Sequence, residues 1–251
     1  MALSMTTNAS ANPWLAVVLR ITAFPRALED IDKELTWEAL VGEAPESVEE
    51  QPRVKATVSK GQFLNGELIH AQYVDRVELV YSAKFDESIL ASGEFPVIGP
   101  FETALADCEP LMVKWIDGLP GVQRLAFGVV LRLPASNHNE AYQRLNGFLH
   151  SVNLEPGWTD FLYQINKPRL SDTKHDLVIN RLMKWNAIKA TSILSVSKGS
   201  VVTHEKFACQ LELDVNTHQD FQAEFTKDEI QGLFQELVKL TLEIQEKGDI
   251  A

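Results

Sequence analysis

The residues of this chain that come nearest to an acid–base catalyst are histidines beside carboxylates. Lys174-His175-Asp176 and His204-Glu205 each place an imidazole next to an acidic side chain. A carboxylate can orient an imidazole and hold its tautomer, which is an arrangement used in general acid–base catalysis. Both segments lie in polar stretches typical of solvated turns, and neither stands beside an obvious nucleophile. We therefore predict no catalytic residues, and we expect a protein that is not an enzyme.

One segment has the spacing of a metal-binding loop. Residues 214–220 place oxygen-bearing side chains at alternate positions, as calcium loops do. The position that requires glycine is Gln219, however, and the position of the bidentate glutamate is Phe225. Cys108 and Cys209 are too few and too distant for a cysteine-based zinc site, and we expect them to be buried thiols in a reducing compartment. Glycine-rich phosphate loops and the common hydrolase motifs are absent. The sequence predicts no metal and no cofactor.

A basic stretch with interleaved aromatic residues is the strongest candidate binding site. Residues 163–206 carry eight basic and three acidic side chains. Basic residues next to aromatic ones are typical of surfaces that hold phosphates and stack bases. The same spacing suits a strand whose aromatic side chains face the core and whose lysines face water. The candidate residues for binding nucleic acid or an acidic protein partner are Lys167, Arg169, Lys174, Arg181, Lys184, Lys189 and Trp185.

The charge of the chain is strongly uneven. The formal net charge is −12, of which residues 1–121 contribute −10 (9 basic, 19 acidic) and residues 122–251 contribute −2 (14 basic, 16 acidic). Such a field can steer a charged partner. No apolar run approaches the ~18 residues that span a membrane. Residues 1–13 are small and polar without the basic region of a secretory signal, so we expect a disordered N-terminus and a cytoplasmic protein.

Two short segments organise the predicted fold. Residues 128–133 read Gly-Val-Val-Leu-Arg-Leu, and residues 16–21 read Ala-Val-Val-Leu-Arg-Ile. Each is an apolar, β-branched strand interrupted by one arginine, and each precedes a proline. We interpret them as equivalent strands that open the two halves of a duplicated protein, and chance similarity between two apolar strands is the alternative.

Further elements follow the two strands in the same order. Residues 54–60, 63–70, 77–83 and 207–215 have strand patterns, and Asn65-Gly66 predicts a tight hairpin turn. Pro110 is expected to open a fresh helix within residues 101–119. Thr226-Lys-Asp-Glu229 is a capping box ahead of a long amphipathic helix. We predict an α+β fold with a disordered segment 1–13 and two similar halves, 14–121 and 122–251. Each half has a mainly antiparallel sheet with helices on one face, and a pseudo-twofold axis relates the two.

The end of the chain resembles that of a sporadically distributed, uncharacterised bacterial protein family. The resemblance lies in Leu211-Glu-Leu-Asp-Val-Asn-Thr217 ahead of a long terminal helix, and in Arg76-Val-Glu-Leu79. It implies a bacterial or phage-encoded cytoplasmic protein from a mobile or defence-linked locus, and it supplies no catalytic residues. We expect a non-enzymatic accessory subunit of a bacterial antiviral-defence or toxin-immunity complex that binds a protein partner. A nucleic-acid-contacting subunit that uses residues 163–206 and an enzyme that acts through His175 or His204 are the alternatives, and the sequence is also compatible with a homo-oligomer.

Overall fold

The structure is a computed structural model that describes residues 14–26, 36–85, 89, 93–155, 157–196, 200–221 and 223–251. The expected disorder of residues 1–13 lies outside these ranges. Four α-helices lie within them: α1 (Trp37–Val41), α2 (Phe101–Asp117), α3 (His138–Phe148) and α4 (Lys227–Lys247). A 3-10 turn, Gly248–Ile250, follows α4. No helix in the described ranges is both long enough and apolar enough to cross a bilayer.

Within the described ranges, eleven strands form one antiparallel sheet. Their order across the sheet is β2-β3-β4-β5-β1-β7-β11-β10-β8, with β6 beside β1 and β9 beside β10. The strands are β1 (Leu15–Pro25), β2 (Ser47–Gln51), β3 (Ala56–Phe63), β4 (Gly66–Gln72), β5 (Val77–Ala83), β6 (Gly99–Pro100), β7 (Val122–Ala135), β8 (Leu162–Asn166), β9 (Arg169–Leu170), β10 (Val178–Val196) and β11 (Ser200–Thr217).

The predicted α+β class and antiparallel pairing are confirmed, but the two halves do not form two separate sheets. β1 and β7, the two strands that open the predicted halves, pair with each other from Leu15↔Arg132 to Pro25↔Val122. This pairing joins both halves into one sheet and one connected hydrophobic core. The physical reason is that an unpaired edge exposes backbone N–H and C=O groups, and joining two edges satisfies both.

The core lies between one face of this sheet and the helices. Strand side chains alternate between the two faces, and Leu19, Ile21 and Phe127 point to the helices with no exposed surface. Phe127 packs edge-on against Phe234 of α4, with 5.9 Å between ring centroids. The side chains of the same strands that point the other way form the face opposite α1 to α4. Residues 94–96 contact part of this face, where Arg132 donates to the Pro96 carbonyl and Lys206 pairs with Glu94.

The expectation that Pro110 opens a fresh helix is wrong, because α2 continues through it. Proline lacks the N–H of one helical hydrogen bond, which costs about 3 kcal/mol in a helix interior. Cys108 and Met112, on either side of Pro110, are each only 1% exposed. Burial of a large apolar side chain contributes roughly 1.5–3 kcal/mol. The packed face of α2 therefore outweighs the missing bond.

The predicted hairpin forms, but its turn does not use Asn65-Gly66. Phe63 pairs with Gly66, so the connecting residues are Leu64 and Asn65, and Leu64 has a φ of 47°. Gly66 belongs to β4, where a Cβ atom would lie 2.3 Å from the carbonyl oxygen of Ser82 on β5. The glycine is needed for the close approach of two strands rather than for a turn.

The terminal helix begins as predicted. Thr226 Oγ1 accepts from the backbone N–H of Glu229, and the Glu229 side chain accepts in turn from the N–H of Thr226 at 2.8 Å. After the helix, the buried carboxylate of Asp249 accepts from the backbone N–H groups of His150 and Ser151, at 2.7 and 3.0 Å. These bonds tie the end of the chain to the segment that follows α3.

Candidate functional site

The face of the sheet opposite α1 to α4, here called the uncovered face, carries the candidate site. Alternate residues of the central strands β1, β7 and β11 point towards it, and Val18, Val130 and Glu212 on this face are half-buried. Val18 pairs with Val130, which pairs with Glu212, so these three side chains form one row across three strands. The next row along the same strands consists of Arg20, Gly128 and Asp214.

A groove of about 320 Å³ crosses the middle of this face. Its floor is at Gly128 of β7, where the absence of a side chain leaves a depression between the neighbouring strands. Its lining combines aliphatic side chains with two cations, two carboxylates and an amide: Val18, Arg20, Val129, Val130, Gln164, Leu182, Lys184, Glu212, Leu213 and Asp214, besides Gly128 itself.

Arg20 of β1 lies over Gly128. The two residues are paired in the β1–β7 register, and a Cβ atom on Gly128 would lie 3.3 Å from one terminal nitrogen of the Arg20 guanidinium. Asp214 pairs with Gly128 from the other side. Strands are spaced ~4.8 Å apart, so the backbones of Arg20 and Asp214 are roughly 10 Å apart. Glycine at 128 leaves room for the guanidinium beside the β7 backbone.

Arg20 stands out because its charge has no partner within the described part of the chain. The other basic side chains that this face carries on its strands are each bonded or paired: Lys60, Arg124, Arg132, Lys184 and Lys206. Arg20 is half-buried, so water reaches it only in part. A half-buried guanidinium without an acceptor is a binding group for a carboxylate or a phosphate.

A ladder of amide side chains lies beside the groove. Asn166 of β8 donates to Asn180 of β10 at 3.1 Å, and Asn180 donates to Asn216 of β11 at 3.1 Å. Asn216 accepts a further bond from Arg124 at 3.2 Å and donates to Asp214 at 3.0 Å. The ladder fixes one carboxylate oxygen of Asp214 in place, because successive hydrogen bonds restrain every side chain in the chain.

The opposite side of the groove is held by an ion pair. Lys184 of β10 donates to both carboxylate oxygens of Glu212 at 3.1 Å, and Gln210 donates to Glu212 at 2.8 Å. Lys184 and Glu212 face each other in the β10–β11 register. Their charges are mutually neutralised, which leaves Arg20 and Asp214 as the two charges of the groove that have no opposite partner.

The structure does not bring the predicted basic residues together on one surface. Within this set, Lys184 points to the uncovered face, whereas Arg181 and Trp185 point to the helices and are 9% and 0% exposed. Trp185 stacks on Phe148 with 5.5 Å between ring centroids. Alternation along β10 separates these side chains, because neighbouring residues of a strand point to opposite faces.

The remaining predicted residues are bonded within the chain. Arg169 pairs with Asp172 at 2.9 Å, Lys174 with Glu229 at 2.7 Å, and Lys189 with Glu205 at 3.0 Å. Arg181 donates to the Lys167 carbonyl at 2.8 Å, and Lys167 donates to the carbonyl of Asp249. A phosphate would have to compete with these acceptors, so the structure favours the interpretation of these residues as intrachain contacts. A role for residues 163–206 in binding nucleic acid stays a prediction.

The histidines do not form a recognisable catalytic group. His175 and His204 are both exposed. His175 lies in a turn as expected, whereas the expectation of a turn at His204 is wrong, because His204 belongs to β11 and pairs with Ser192 of β10. His70 is 4% exposed and packs edge-on against Trp115, and burial lowers the pKa of its imidazole to about 4. Across the described ranges, no three histidine, cysteine or acidic side chains are placed to hold one metal ion.

Both cysteines are buried free thiols, as predicted. Burial raises the pKa of Cys108 and of Cys209 to about 12, which keeps both protonated at neutral pH. A protonated thiol is a weak nucleophile and a weak metal ligand.

Two residues of the groove were missed as site residues by sequence reasoning. Arg20 was noted only as the charge that interrupts an apolar strand, and Gly128 only as the first residue of the matching segment. A charged residue within an otherwise apolar strand was the available signal, because such a side chain must reach water or an acceptor. Their juxtaposition depends on the β1–β7 register, which no local pattern indicates.

Comparisons with protein-family models, with curated proteins and with solved structures found no match to this chain. The groove therefore has to be interpreted from its own chemistry.

Proposed function

We propose that this protein is a non-enzymatic interaction protein that binds a protein partner through the uncovered face of its sheet. The observation that carries the proposal is the half-buried, unpartnered Arg20 in a groove at the centre of that face. The groove offers charges and hydrogen-bonding groups, and its described lining contains no histidine, cysteine, serine or threonine. Its carboxylates Glu212 and Asp214 each accept a hydrogen bond, from Lys184 and Asn216, so we favour recognition over acid–base chemistry.

The size of the face also supports the proposal. Nine strands spaced ~4.8 Å apart span about 40 Å across the sheet, which is the scale of a standard protein–protein interface of ~800 Å² per partner. Residues on the face are mixed in sign, as in the polar, partly wet interfaces of non-obligate complexes. The resemblance to the bacterial family adds the prediction that the partner belongs to a defence or toxin-immunity complex in the cytoplasm.

We also propose that the two halves arose by duplication. In each half the first strand pairs with the last long strand: β1 with β5, and β7 with β11. Val18 and Val130, which are equivalent in the two matching segments, face each other in the β1–β7 register. An axis that exchanges two equivalent strands must pass through such a pair. A β-bulge between Ala16 and Val18 shifts the register on one side and breaks the symmetry there.

The proposed function is tested by capture and reconstitution. The full chain is used as bait in a lysate of the source organism, bound proteins are identified by mass spectrometry, and the complex is rebuilt from purified components. Val130→Glu places one negative charge on the uncovered face. Ala106→Glu places the same charge on an exposed position of α2, on the opposite side of the molecule, and serves as the matched control.

We expect a stoichiometric complex that Val130→Glu abolishes and Ala106→Glu leaves intact, with both variants folded by circular dichroism. Loss of binding in the α2 variant alone would place the interface on the helical side and refute the proposal. Capture of nucleic acid instead of protein, or of no stoichiometric partner, would also refute it.

A further inference from the structure

We infer that the groove recognises a carboxylate of the partner protein through Arg20, and that it discriminates against phosphate. This inference rests on the proposed function, since it names the chemical group that the same surface binds. Its evidence is the distribution of charge around Gly128 and the space above that residue.

The guanidinium of Arg20 lies close to Gly128. Its Nε and one terminal nitrogen lie 3.5 and 3.3 Å from the position that a Cβ atom on Gly128 would occupy. The guanidinium therefore lies against Gly128 at the floor of the groove, and a guanidinium can donate two parallel N–H bonds to the two oxygens of a carboxylate. The donor pair is free to bind, because the described residues offer Arg20 no acceptor.

Three further charged side chains line the groove around Arg20: Lys184, Glu212 and Asp214. Lys184 and Glu212 neutralise each other at 3.1 Å. Asp214 lies one strand beyond Gly128 in the same row as Arg20. Among the described residues, its carboxylate accepts a side-chain hydrogen bond only from the amide of Asn216, so its negative charge is not neutralised. A dianion next to Arg20 would be attracted by Arg20 and repelled by Asp214 twice as strongly as a monoanion. Its desolvation cost, however, rises with the square of its charge, so one free cation offsets a smaller share of that cost.

The groove has one unneutralised cation and one unneutralised anion, so it suits a ligand that places a single negative charge on Arg20. An aspartate or glutamate side chain meets this condition. A phosphate dianion and the phosphodiester chain of a nucleic acid meet it less well, because the groove contributes one free cation to a row that also holds Asp214.

Titration of the purified full chain with small anions tests the inference without the partner. The Nε–Hε resonance of Arg20 is assigned by its disappearance in Arg20→Lys. It is then followed during addition of sodium acetate, sodium phosphate and sodium chloride at constant ionic strength and pH 7. Arg132, whose Nε donates to Gln210 at 3.2 Å, provides a paired arginine in the same spectra.

We expect the Arg20 resonance to shift and saturate with acetate, with a dissociation constant lower for acetate than for phosphate, while the Arg132 resonance shifts no more than with chloride. Gly128→Ala places a methyl group 3.3 Å from the guanidinium. It should weaken acetate binding by about tenfold, which corresponds to about 1.4 kcal/mol. Unchanged circular dichroism is required of this variant. If it fails to fold, Arg20→Gln is compared by the shift of the backbone amide at Gly128.

Tighter binding of phosphate than of acetate would overturn the inference, as would an Arg20 response no larger than that of Arg132. The two proposals fail separately. Acetate binding without any protein partner would contradict the proposed function alone. A reconstituted complex that is insensitive to Arg20→Gln would contradict the carboxylate inference alone.

Discussion

The buried carboxylate of Glu236 on α4 offers the sharpest test of how the terminal helix is attached to the sheet. Glu236 is 6% exposed and accepts three hydrogen bonds from the turn that follows β9. Ser171 Oγ donates at 2.6 Å, and the backbone N–H groups of Asp172 and Thr173 donate at 2.7 and 3.1 Å. We expect Glu236→Gln to destabilise the protein, because an amide N–H₂ replaces one accepting oxygen.

The magnitude follows from which bonds are lost. Whichever oxygen becomes nitrogen, at least one backbone N–H of the turn faces another donor, and leaving a buried donor unpaired costs about 1–3 kcal/mol. The remaining bonds lose the charge of the carboxylate, and charged hydrogen bonds exceed neutral ones by roughly 1 kcal/mol. The expected loss is about 2–4 kcal/mol of unfolding free energy, a large part of the ~5–15 kcal/mol typical of folded proteins.

The dependence on pH has a definite sign. Burial raises the pKa of Glu236, but the bonds from Ser171, Asp172 and Thr173 outweigh it, so the folded-state pKa lies below its usual value. A carboxylate with a lowered folded pKa stabilises the protein above its unfolded pKa, and this contribution is lost as pH falls through the folded pKa. The difference between wild type and Glu236→Gln should therefore be largest near neutral pH and shrink in acid.

Urea unfolding followed by circular dichroism at pH 7 and in acid measures this difference. Glu246→Gln is the matched control, because Glu246 lies on the same helix and is exposed. We expect the control to change the unfolding free energy by less than about 0.5 kcal/mol. Equal unfolding free energies for the two variants, or a Glu236→Gln effect that grows in acid, would refute the reasoning.

Two further predictions follow from the buried titratable groups. Burial lowers the pKa of His70 to about 4. Between about pH 6.5 and 4, His70 is therefore protonated in the unfolded state but not in the folded state. The free energy of unfolding should fall by about 1.4 kcal/mol for each unit by which the pH is lowered through this range. When the pH is lowered from 7 to 5, the unfolding free energy of the wild type should fall by about 2 kcal/mol more than that of His70→Phe. Equal decreases in the two proteins, measured by urea unfolding, would contradict this. Burial raises the pKa of Cys108 and Cys209 to about 12. A disulfide reagent at pH 8 should label neither thiol in the folded protein and both in denaturant, and rapid labelling of the native chain would contradict this.

Local patterns were sufficient for much of the fold. Strand β5 has the predicted bounds, and the capping box at Thr226 begins a helix as expected. Such features depend on neighbours along the chain, so periodicity and caps reveal them. The failures at Pro110 and at Asn65-Gly66 have the opposite origin. In both cases packing against a distant element outweighed the local preference, through the buried face of α2 and through the approach of β4 to Ser82.

The candidate site was not accessible from local patterns. The basic residues of 163–206 were grouped by proximity in sequence, whereas the alternation of side chains along β10 places Arg181 and Lys184 on opposite faces. Arg20 and Gly128 are more than a hundred residues apart, and the register of two central strands makes them neighbours.

The amino-acid sequence by itself determined the α+β composition, the terminal helix, the burial of both cysteines and the two matching strands. Each of these depends on side-chain hydrophobicity and on hydrogen bonds between near neighbours. Only the tertiary structure decided that the matching strands pair, that one sheet results, and that its uncovered face carries Arg20 over Gly128. Strand order and register depend on how all the apolar faces are buried together, and that condition belongs to the whole chain.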